Sequence, residues 1–397
     1  KVEYGSTALH AAASSGNAEM VKLLLKSLPS NKQADFVMTK NQGGKTALLT
    51  ALSSLYSALS GPFSSTLEKK EEFIANAPSR YLQVINILLA SVPQEQKFTL
   101  VSDEDMDGQT SLFYPTLKGN FEIIKVLIDA VPKKHKANFI MHKNHQGISA
   151  LALAFGFVSF GQLPVSSFFE LTKIFLSAIP EKQRFDFITS TSYEWLNLFA
   201  MVIILGNIEM MKTIIESVPE NKRTNFIMGK LREEGATALA LAISTGKIDM
   251  VKELIASVPK KRRADFIMIK SEYGIAALSA ALKFGNFDIM KTLLEWLSTE
   301  QRLVFITYVD KYFGTTLHVA AKRGNLEEIN FLLESIPEDQ RANFVITADR
   351  DGNTSLHLAV SNNNLDAIKL LIKFYHQYEI EIPQDLLPKL KELGVLN

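Results

Sequence analysis

The chain repeats one pattern of residues at a spacing of about 39, and this periodicity constrains its fold more than any other feature. Five of the eight gaps between successive apolar anchors are 39 residues, one is 40, and insertions lengthen the other two to 64 and 48. A fixed period of this length predicts stacked units that bury their apolar faces against their neighbours, with binding as the default function. The anchors are Leu9, Leu48, Leu112, Leu151, Phe199, Leu239, Leu278, Leu317 and Leu356.

The sixth unit shows how the pattern predicts two helices. Thr237 precedes a run of alanine and aliphatic residues and is a candidate N-cap of a first helix, helix A. Gly246 ends that helix, because glycine permits the positive φ of a tight turn. Ile248, Val251 and Leu254 then recur at helical spacing, which predicts the buried stripe of a second helix, helix B.

A third segment follows helix B in almost every unit. It opens with a proline, which suits the first turn of a helix, so the pattern predicts a short third helical turn. Seven residues after the proline position an aromatic residue is expected to pack back into the stack, with Leu100 substituting once. These aromatic residues are Phe36, Phe139, Phe187, Phe226, Phe266, Phe305 and Phe344. The proline positions are Pro29, Pro93, Pro132, Pro180, Pro219, Pro259 and Pro337, with Ser298 at the remaining one.

The start of helix A carries a recognisable motif in three units. It reads Gly5-Ser-Thr7-Ala-Leu9-His10-Ala-Ala, Thr315-Thr-Leu317-His318-Val-Ala-Ala and Asp351-Gly352-Asn-Thr354-Ser-Leu356-His357-Leu-Ala. With the downstream Gly-Asn and Val-x-x-Leu-Leu patterns, these segments resemble the ankyrin repeat over nearly the whole chain. The departures are an alanine or serine after the threonine, histidine in only three units, and a unit longer than the usual length of about 33 residues.

The resemblance implies a mostly α-helical solenoid of about nine helix-turn-helix units with short β-turn or hairpin tips. It implies that His10, His318 and His357 hydrogen-bond the backbone of the neighbouring hairpin. It also implies that the turn tips and helix A form a concave surface that grips partner proteins. The fifth unit is the most divergent, with Trp195 at the glycine position and Asn197 at the threonine position.

The long, degenerate array with extended units also resembles the ankyrin proteins that bacteria deliver as effectors into eukaryotic cells. That resemblance implies a host protein as partner and a cytoplasmic or intracellular location, reached by secretion without a classical signal peptide. No signal-peptide pattern opens the sequence. Because the chain begins at Lys1 without a methionine, shortly before a repeat glycine, we expect that residues precede it in the full protein.

The predicted domain organisation is one array over residues 1–382 followed by a capping helix over 383–397. Insertions of about 25 and nine residues, within 53–80 and 155–167, fall at the turn between helices A and B of the second and fourth units. Terminal capping elements are typical of repeat arrays. We expect a monomer.

Composition excludes several functions. The 43 basic and 42 acidic residues leave a net charge of +1, so no global field attracts nucleic acid or anionic lipid. The absence of cysteine excludes disulfides, thiolate zinc sites and cysteine nucleophiles. The longest purely apolar run, Leu198 to Leu205, is far shorter than the roughly 20 residues that span a bilayer.

Two clusters suggest metal sites but are better explained by turn tips. The run from Asp103 to Gly108 fits the opening of a calcium loop, yet Tyr114 stands where the loop needs a bidentate glutamate. His142 and His145 have no thiol or nearby carboxylate in the sequence to complete a zinc site. No phosphate loop, nucleophile elbow or zincin motif occurs. The prediction is no metal, no cofactor and no enzymatic activity.

A basic residue recurs four positions after the proline in most units. Stacked at the repeat spacing, such a ladder could bind the phosphates of lipid or nucleic acid. The interleaved acidic residues favour a structural role, in which these side chains bond helix-end carbonyls or neighbouring carboxylates. The ladder comprises Lys97, Lys136, Arg184, Arg223, Arg263, Arg302 and Arg341.

The turn tips of units five to eight carry aromatic and basic residues of the kind enriched at binding hot spots. These candidate partner-binding residues are Tyr193, Trp195, Lys230, Arg232, Tyr273, Tyr308 and Tyr312. The function we predict is protein–protein recognition through this surface; packing of Trp195 and one or two tyrosines onto adjacent repeats is the structural alternative. The alternative functions are the targeting half of a longer enzyme and phosphate binding through the basic ladder.

Overall fold

The computed structural model describes residues 5–60, 67–193, 196–231, 236–271, 274–285 and 287–396. Of helix residues 67–75 it describes the backbone alone. The chain divides into two compact units, Lys1–Met201 and Val202–Asn397. Helices A pack side by side in repeats 1 to 4, in repeats 6 and 7, and in repeats 8 and 9. The predicted mostly α-helical repeat fold is confirmed.

Helices A and B form where the sequence predicts them. Helix A spans Ala8–Ser14, Ala47–Ser60, Phe113–Lys118, Ala150–Ser159, Leu198–Leu205, Ala238–Ser244, Ala276–Phe284, Thr316–Arg323 and Ser355–Ser361 in repeats 1 to 9. Helix B spans Ala18–Lys26, Leu67–Ala90, Phe121–Asp129, Val165–Ala178, Ile208–Ser217, Ile248–Ala256, Phe287–Glu295, Leu326–Glu334 and Leu365–Gln377.

The local causes are those that the sixth repeat predicts. The Thr237 side chain caps helix A by accepting from the N–H of Ala240. Gly246 adopts a φ of 70° at the turn, in the region that glycine enters without strain. Val251 and Leu254 are fully buried on helix B.

The third segment is a full helix in most repeats, so the predicted single turn was too short. Helix C spans Ser30–Met38, Gln94–Ser102, Glu181–Ser190, Glu220–Met228, Thr299–Thr307 and Glu338–Ile346, while in repeats 3 and 6 a 3-10 turn, Lys133–His135 or Lys260–Arg262, leads into Lys136–Met141 or Arg263–Ile267. Each proline stands just before the first helical residue, where its missing N–H costs nothing. Helix C accounts for the extended period.

The packing of helix C differs from the prediction at two positions. Phe266 and Phe305 are buried as expected, but Phe36 and Phe226 are only half-buried. The residue directly after this aromatic position is at most 1% exposed in all eight repeats that have helix C. These residues are Val37, Val101, Ile140, Ile188, Ile227, Ile267, Ile306 and Val345. They are the more constant anchor of helix C.

The tips between repeats are turns or short hairpins. Two antiparallel hairpins pair Ser192–Tyr193 with Leu196–Asn197 and Lys270–Ser271 with Gly274–Ile275. Isolated antiparallel bridges also join Lys143 to Ser149, Lys230 to Thr237 and Asp310 to Gly314 at three further tips.

Both insertions lengthen helices A and B. In repeat 2 helix B extends to 24 residues and includes Pro78. Tyr81 of this helix donates a hydrogen bond of 2.6 Å to the carbonyl of Ser14, and its ring lies against Gly16. In repeat 4 the short connection between the lengthened helices leaves the Phe160 side chain 75% exposed.

The C-terminal segment contains a 3-10 turn, Gln384–Leu386, and a short helix, Leu387–Glu392. Leu390 of that helix is fully buried. We propose that residues 383–397 cap the array, because they cover apolar surface that a further repeat would otherwise bury.

Candidate functional site

An Asx turn fixes the backbone of the described tips in five repeats. In the ninth repeat, Oδ1 of Asp349 accepts hydrogen bonds from the N–H groups of Asp351 and Asn353, both 2.9 Å long. The same side-chain oxygen accepts two backbone N–H groups at Asn41, Asp105, Asn144 and Asp310. The sequence predicted turns here, but the recurring Asx residue that closes them went unrecognised. Side chains on these tips therefore project from a preorganised backbone.

In the first compact unit, Tyr193 packs onto the preceding repeat. Its ring lies 6.0 Å from the ring of Phe155 in an edge-to-face arrangement. A Cβ added at Gly156 would lie 3.0 Å from the Tyr193 ring, so the absence of a side chain makes room for it. Tyr193 therefore packs onto the adjacent repeat, which is the structural alternative to partner contact for a tip tyrosine.

In the second unit, the tip of repeat 8 carries both Tyr308 and Tyr312, and of the two only Tyr312 is exposed. A Cβ added at Gly274 would lie 2.9 Å from the Tyr308 ring, which covers the preceding hairpin. The Tyr312 side chain is 64% exposed and follows Asp310, the Asx residue of its turn. Lys230 is also exposed, on the tip of repeat 6. Trp195, Arg232 and Tyr273 lie outside the described residues.

A cluster formed by helix A of repeats 2 to 4 and the tip of repeat 2 was missed in the sequence. We call it the Tyr56 patch and define it as Tyr56, Tyr114, Phe157, Lys45 and Lys118, all in the first compact unit. The Tyr56 ring lies 6.0 Å from that of Tyr114 and 6.4 Å from that of Phe157. Lys118 Nζ lies 4.9 Å from the Tyr56 ring centre, and Lys45 Nζ lies 5.0 Å from that of Tyr114. The available signal was a tyrosine two residues after the Leu112 anchor, where the first two repeats have small residues.

The electrostatics of this patch are set by two lysines without an ion-pair partner among the described residues and by one tyrosine hydroxyl. Neither ammonium lies within 4.0 Å of a carboxylate in the part of the chain that the structure describes. Tyr114 donates to Oδ2 of Asp105 at 2.5 Å. Burial, followed by that hydrogen bond, raises the pKa of Tyr114, so its hydroxyl stays protonated at physiological pH. Burial lowers the pKa of Lys118, since its ammonium sits among the rings.

A match between the sequence and a protein-family model identifies the repeat family. The family model for ankyrin repeats (three copies) matches residues 1–59, 198–302 and 300–383, which together are more than half of the chain. The chain belongs to the ankyrin-repeat family. Ankyrin repeats build protein–protein interaction scaffolds, and that is the class of this protein. No curated protein matches the sequence. Among the described helices, none is long and apolar enough to cross a membrane.

The ankyrin-motif histidines fulfil the expected structural role in two repeats and differ in a third. The backbone N–H of Thr7 donates to Nδ1 of His10, so Nε2 carries the proton and donates 2.9 Å to the carbonyl of Lys45 on the next tip. His318 repeats this arrangement with the carbonyl of Asn353. His357 instead contacts Asp385 Oδ2 at 3.1 Å, because the C-terminal segment replaces a further tip there.

The arginines of the basic ladder bond helix-end carbonyls, as the structural interpretation predicted. Nε of Arg223 donates 2.8 Å to the carbonyl of Val218, and its terminal nitrogen donates 2.9 Å to that of Glu216. Arg263 makes the equivalent pair of bonds, and the arginines at the other ladder positions, Arg184, Arg302 and Arg341, also donate to helix-end carbonyls. These guanidinium groups close the junction between helices B and C, which argues against phosphate binding.

The two clusters that suggested metals form turns. Asp105 is 5% exposed and uses its carboxylate for the Asx turn and for Tyr114. Nε2 of His142 lies 2.9 Å from the carbonyl oxygen of Gly108 on the neighbouring tip. Over the described residues, no group of three or more histidines and carboxylates is placed to hold a metal ion.

Proposed function

We propose that this ankyrin-repeat chain is a non-enzymatic recognition scaffold that binds a partner protein through its turn tips and helix A surface. The observation that carries the proposal is the set of Asx-closed tips, which hold exposed side chains on a fixed backbone. A preformed surface pays little ordering cost on binding, so more of its contact energy remains as affinity.

The tip residues proposed for contact are those of the sequence prediction, and the structure supports them unequally. Tyr312 and Lys230 are the stronger candidates for contact with a partner, because both are exposed in the second compact unit. Tyr193 and Tyr308 act as supports, since each ring covers a glycine of the preceding repeat. Tyrosine at a tip offers a large apolar area with a polar end, a combination common at hot spots.

The test is affinity enrichment from eukaryotic cell lysate, read by mass spectrometry, with the Tyr312→Ala/Lys230→Ala variant run in parallel. The matched control is Phe284→Ala/Lys283→Ala, which removes an exposed aromatic–lysine pair at the opposite end of helix A. We expect a protein enriched by the parent and the control but lost with the tip variant. Equal enrichment by all three forms would exclude these tips.

We further propose that the chain acts inside a eukaryotic host cell as a bacterial effector, which rests on the resemblance of its long, degenerate array. The test is proximity labelling in the cytosol of host cells that express the chain. Labelling of the same protein that lysate enrichment identifies would support this role. Consistent labelling of bacterial proteins alone, when the chain is expressed in its own source cell, would argue against it.

A further inference from the structure

The Tyr56 patch is a second surface, distinct from the proposed contact residues Tyr312 and Lys230, on helix A of three consecutive repeats and the tip of repeat 2 in the first compact unit. Its three aromatic rings are half-buried and contact one another, so they form a continuous apolar floor. The two lysines stand over the floor, one above Tyr114 and one above Tyr56. Ammonium groups over ring faces are attracted by the ring quadrupole, which favours these positions before any partner arrives.

Lys45 and Lys118 differ from a nearby lysine, Lys40, because neither has an ion-pair partner among the described residues. Lys40, close by in sequence, pairs with Asp103 at 2.5 Å. Asp105 accepts from Tyr114 and from two backbone N–H groups. Within the described residues, no carboxylate therefore lies within ion-pair distance of Lys45 or Lys118. The patch presents two basic side chains over an apolar floor.

We propose that the Tyr56 patch binds an extended, acidic segment of a partner protein. Carboxylates of the segment would pair with Lys45 and Lys118, and an apolar side chain between them would lie on the rings. Half-buried pairs of this kind contribute to specificity and to the association rate. This proposal rests on the proposed function and names the chemistry of the partner.

The charges at the rim favour a peptide over a nucleic acid. Glu104 and Asp107 are exposed on the tip of repeat 3, the tip whose Asp105 accepts from Tyr114. A continuous phosphate backbone would run past these carboxylates and be repelled, whereas a peptide can space its acidic residues to avoid them. Aromatic rings with lysines can also stack bases, so a single-stranded oligonucleotide is a necessary probe in the test.

The experiment selects random linear peptides displayed on phage against the full chain and measures the winners by fluorescence anisotropy. We expect selected peptides in which aspartate or glutamate flanks an apolar residue, with binding that weakens as salt rises. Lys45→Gln/Lys118→Gln should raise the Kd about tenfold or more, since two half-buried charge pairs are lost. Lys45→Arg/Lys118→Arg should retain binding.

The matched control is Lys133→Gln/Lys134→Gln, which removes the same charge from exposed positions on the third segment of repeat 3 and should leave the Kd unchanged. Selection of no peptide, of peptides without acidic bias, or of peptides that bind the Gln variant equally well would overturn the proposal. Tighter binding of oligothymidylate than of any acidic peptide would assign the patch to nucleic acid and overturn it too. A lysate partner that is lost with the tip variant but retained by the Lys45→Gln/Lys118→Gln variant would support the proposed scaffold function. The same result would overturn the proposed role of the Tyr56 patch.

Discussion

Two phenylalanines at the same position of helix C separate a core role from a partly exposed one. Phe266 is 1% exposed, whereas Phe226 is half-buried. We expect Phe266→Ala to lower the free energy of unfolding by about 3–5 kcal/mol, the usual cost of a buried phenylalanine. Phe226→Ala should cost clearly less. Urea unfolding followed by circular dichroism measures both, and equal costs would mean that exposure does not govern this position.

The constant burial of the next residue on helix C was within reach of the sequence but easy to overlook. Phenylalanine recurs as one residue type, while the neighbouring position alternates between valine and isoleucine. The prediction chose the phenylalanine position because one residue type recurs there. The position one residue later, which is always valine or isoleucine, is the more deeply buried. Which of the two faces inward depends on the rotation of helix C against its neighbours, and residue spacing alone does not determine that rotation.

The buried histidines make stability depend on pH. Burial holds the pKa of His10 and His318 below its ordinary value of about 6.5. The unfolded chain therefore binds protons at these residues first, so their contribution to stability is complete above that value and is lost as the pH falls through it. We expect the thermal midpoint to drop between pH 7.5 and 5.5, where most carboxylates remain ionised.

His10→Gln/His318→Gln tests this assignment. The double variant should be less stable at pH 7.5, because its Thr and carbonyl partners lose their bonds, and its midpoint should change less with pH. His376→Gln, at an exposed position of the last helix B, is the control. A pH dependence that the double variant leaves untouched would place the titrating groups elsewhere.

At the scale of the element, the junction of helices B and C depends on the ladder arginines. Arg223 spans two carbonyls at the end of helix B with its planar guanidinium. We expect Arg223→Ala to cost about 1–2 kcal/mol, because two carbonyls lose a charged donor. Arg223→Lys should recover only part of this, since a single ammonium cannot match both directions. Lys261→Ala, at an exposed position, should change the unfolding midpoint little.

Helices A and B were predictable because each has a cap, a breaking glycine and an apolar stripe. Helix C was predicted only as a turn, because its one buried edge carries too few apolar residues to give a helical period. The length of each insertion could be predicted from the sequence, but its structure could not. The insertion within residues 53–80 was assigned to the turn between helices A and B, whereas the helices on both sides extend through most of the added chain.

At the scale of the whole molecule, the tips were predictable as surfaces and the Tyr56 patch was not. Tip residues follow from local turn signals within one repeat. The patch unites Tyr56, Tyr114 and Phe157 from three repeats, which stand eight, two and six residues after their apolar anchors. Periodic alignment of the sequence therefore leaves these residues out of register, and only the stacking of helices A brings them together.

Because each repeat contacts its neighbours alone, damage to one repeat should remain local. Phe266→Ala weakens repeat 6, so we expect faster amide hydrogen exchange in repeats 6 and 7 and unchanged exchange in repeats 1 and 2. Hydrogen–deuterium exchange with mass spectrometry resolves this peptide by peptide, with Phe284→Ala as a control for an exposed phenylalanine. A uniform rise in exchange along the chain would instead mean that the nine repeats open as one cooperative body. Local opening would allow one part of the array to bind a partner while a distant repeat tolerates substitution, which suits a scaffold whose surface residues vary above a fixed core.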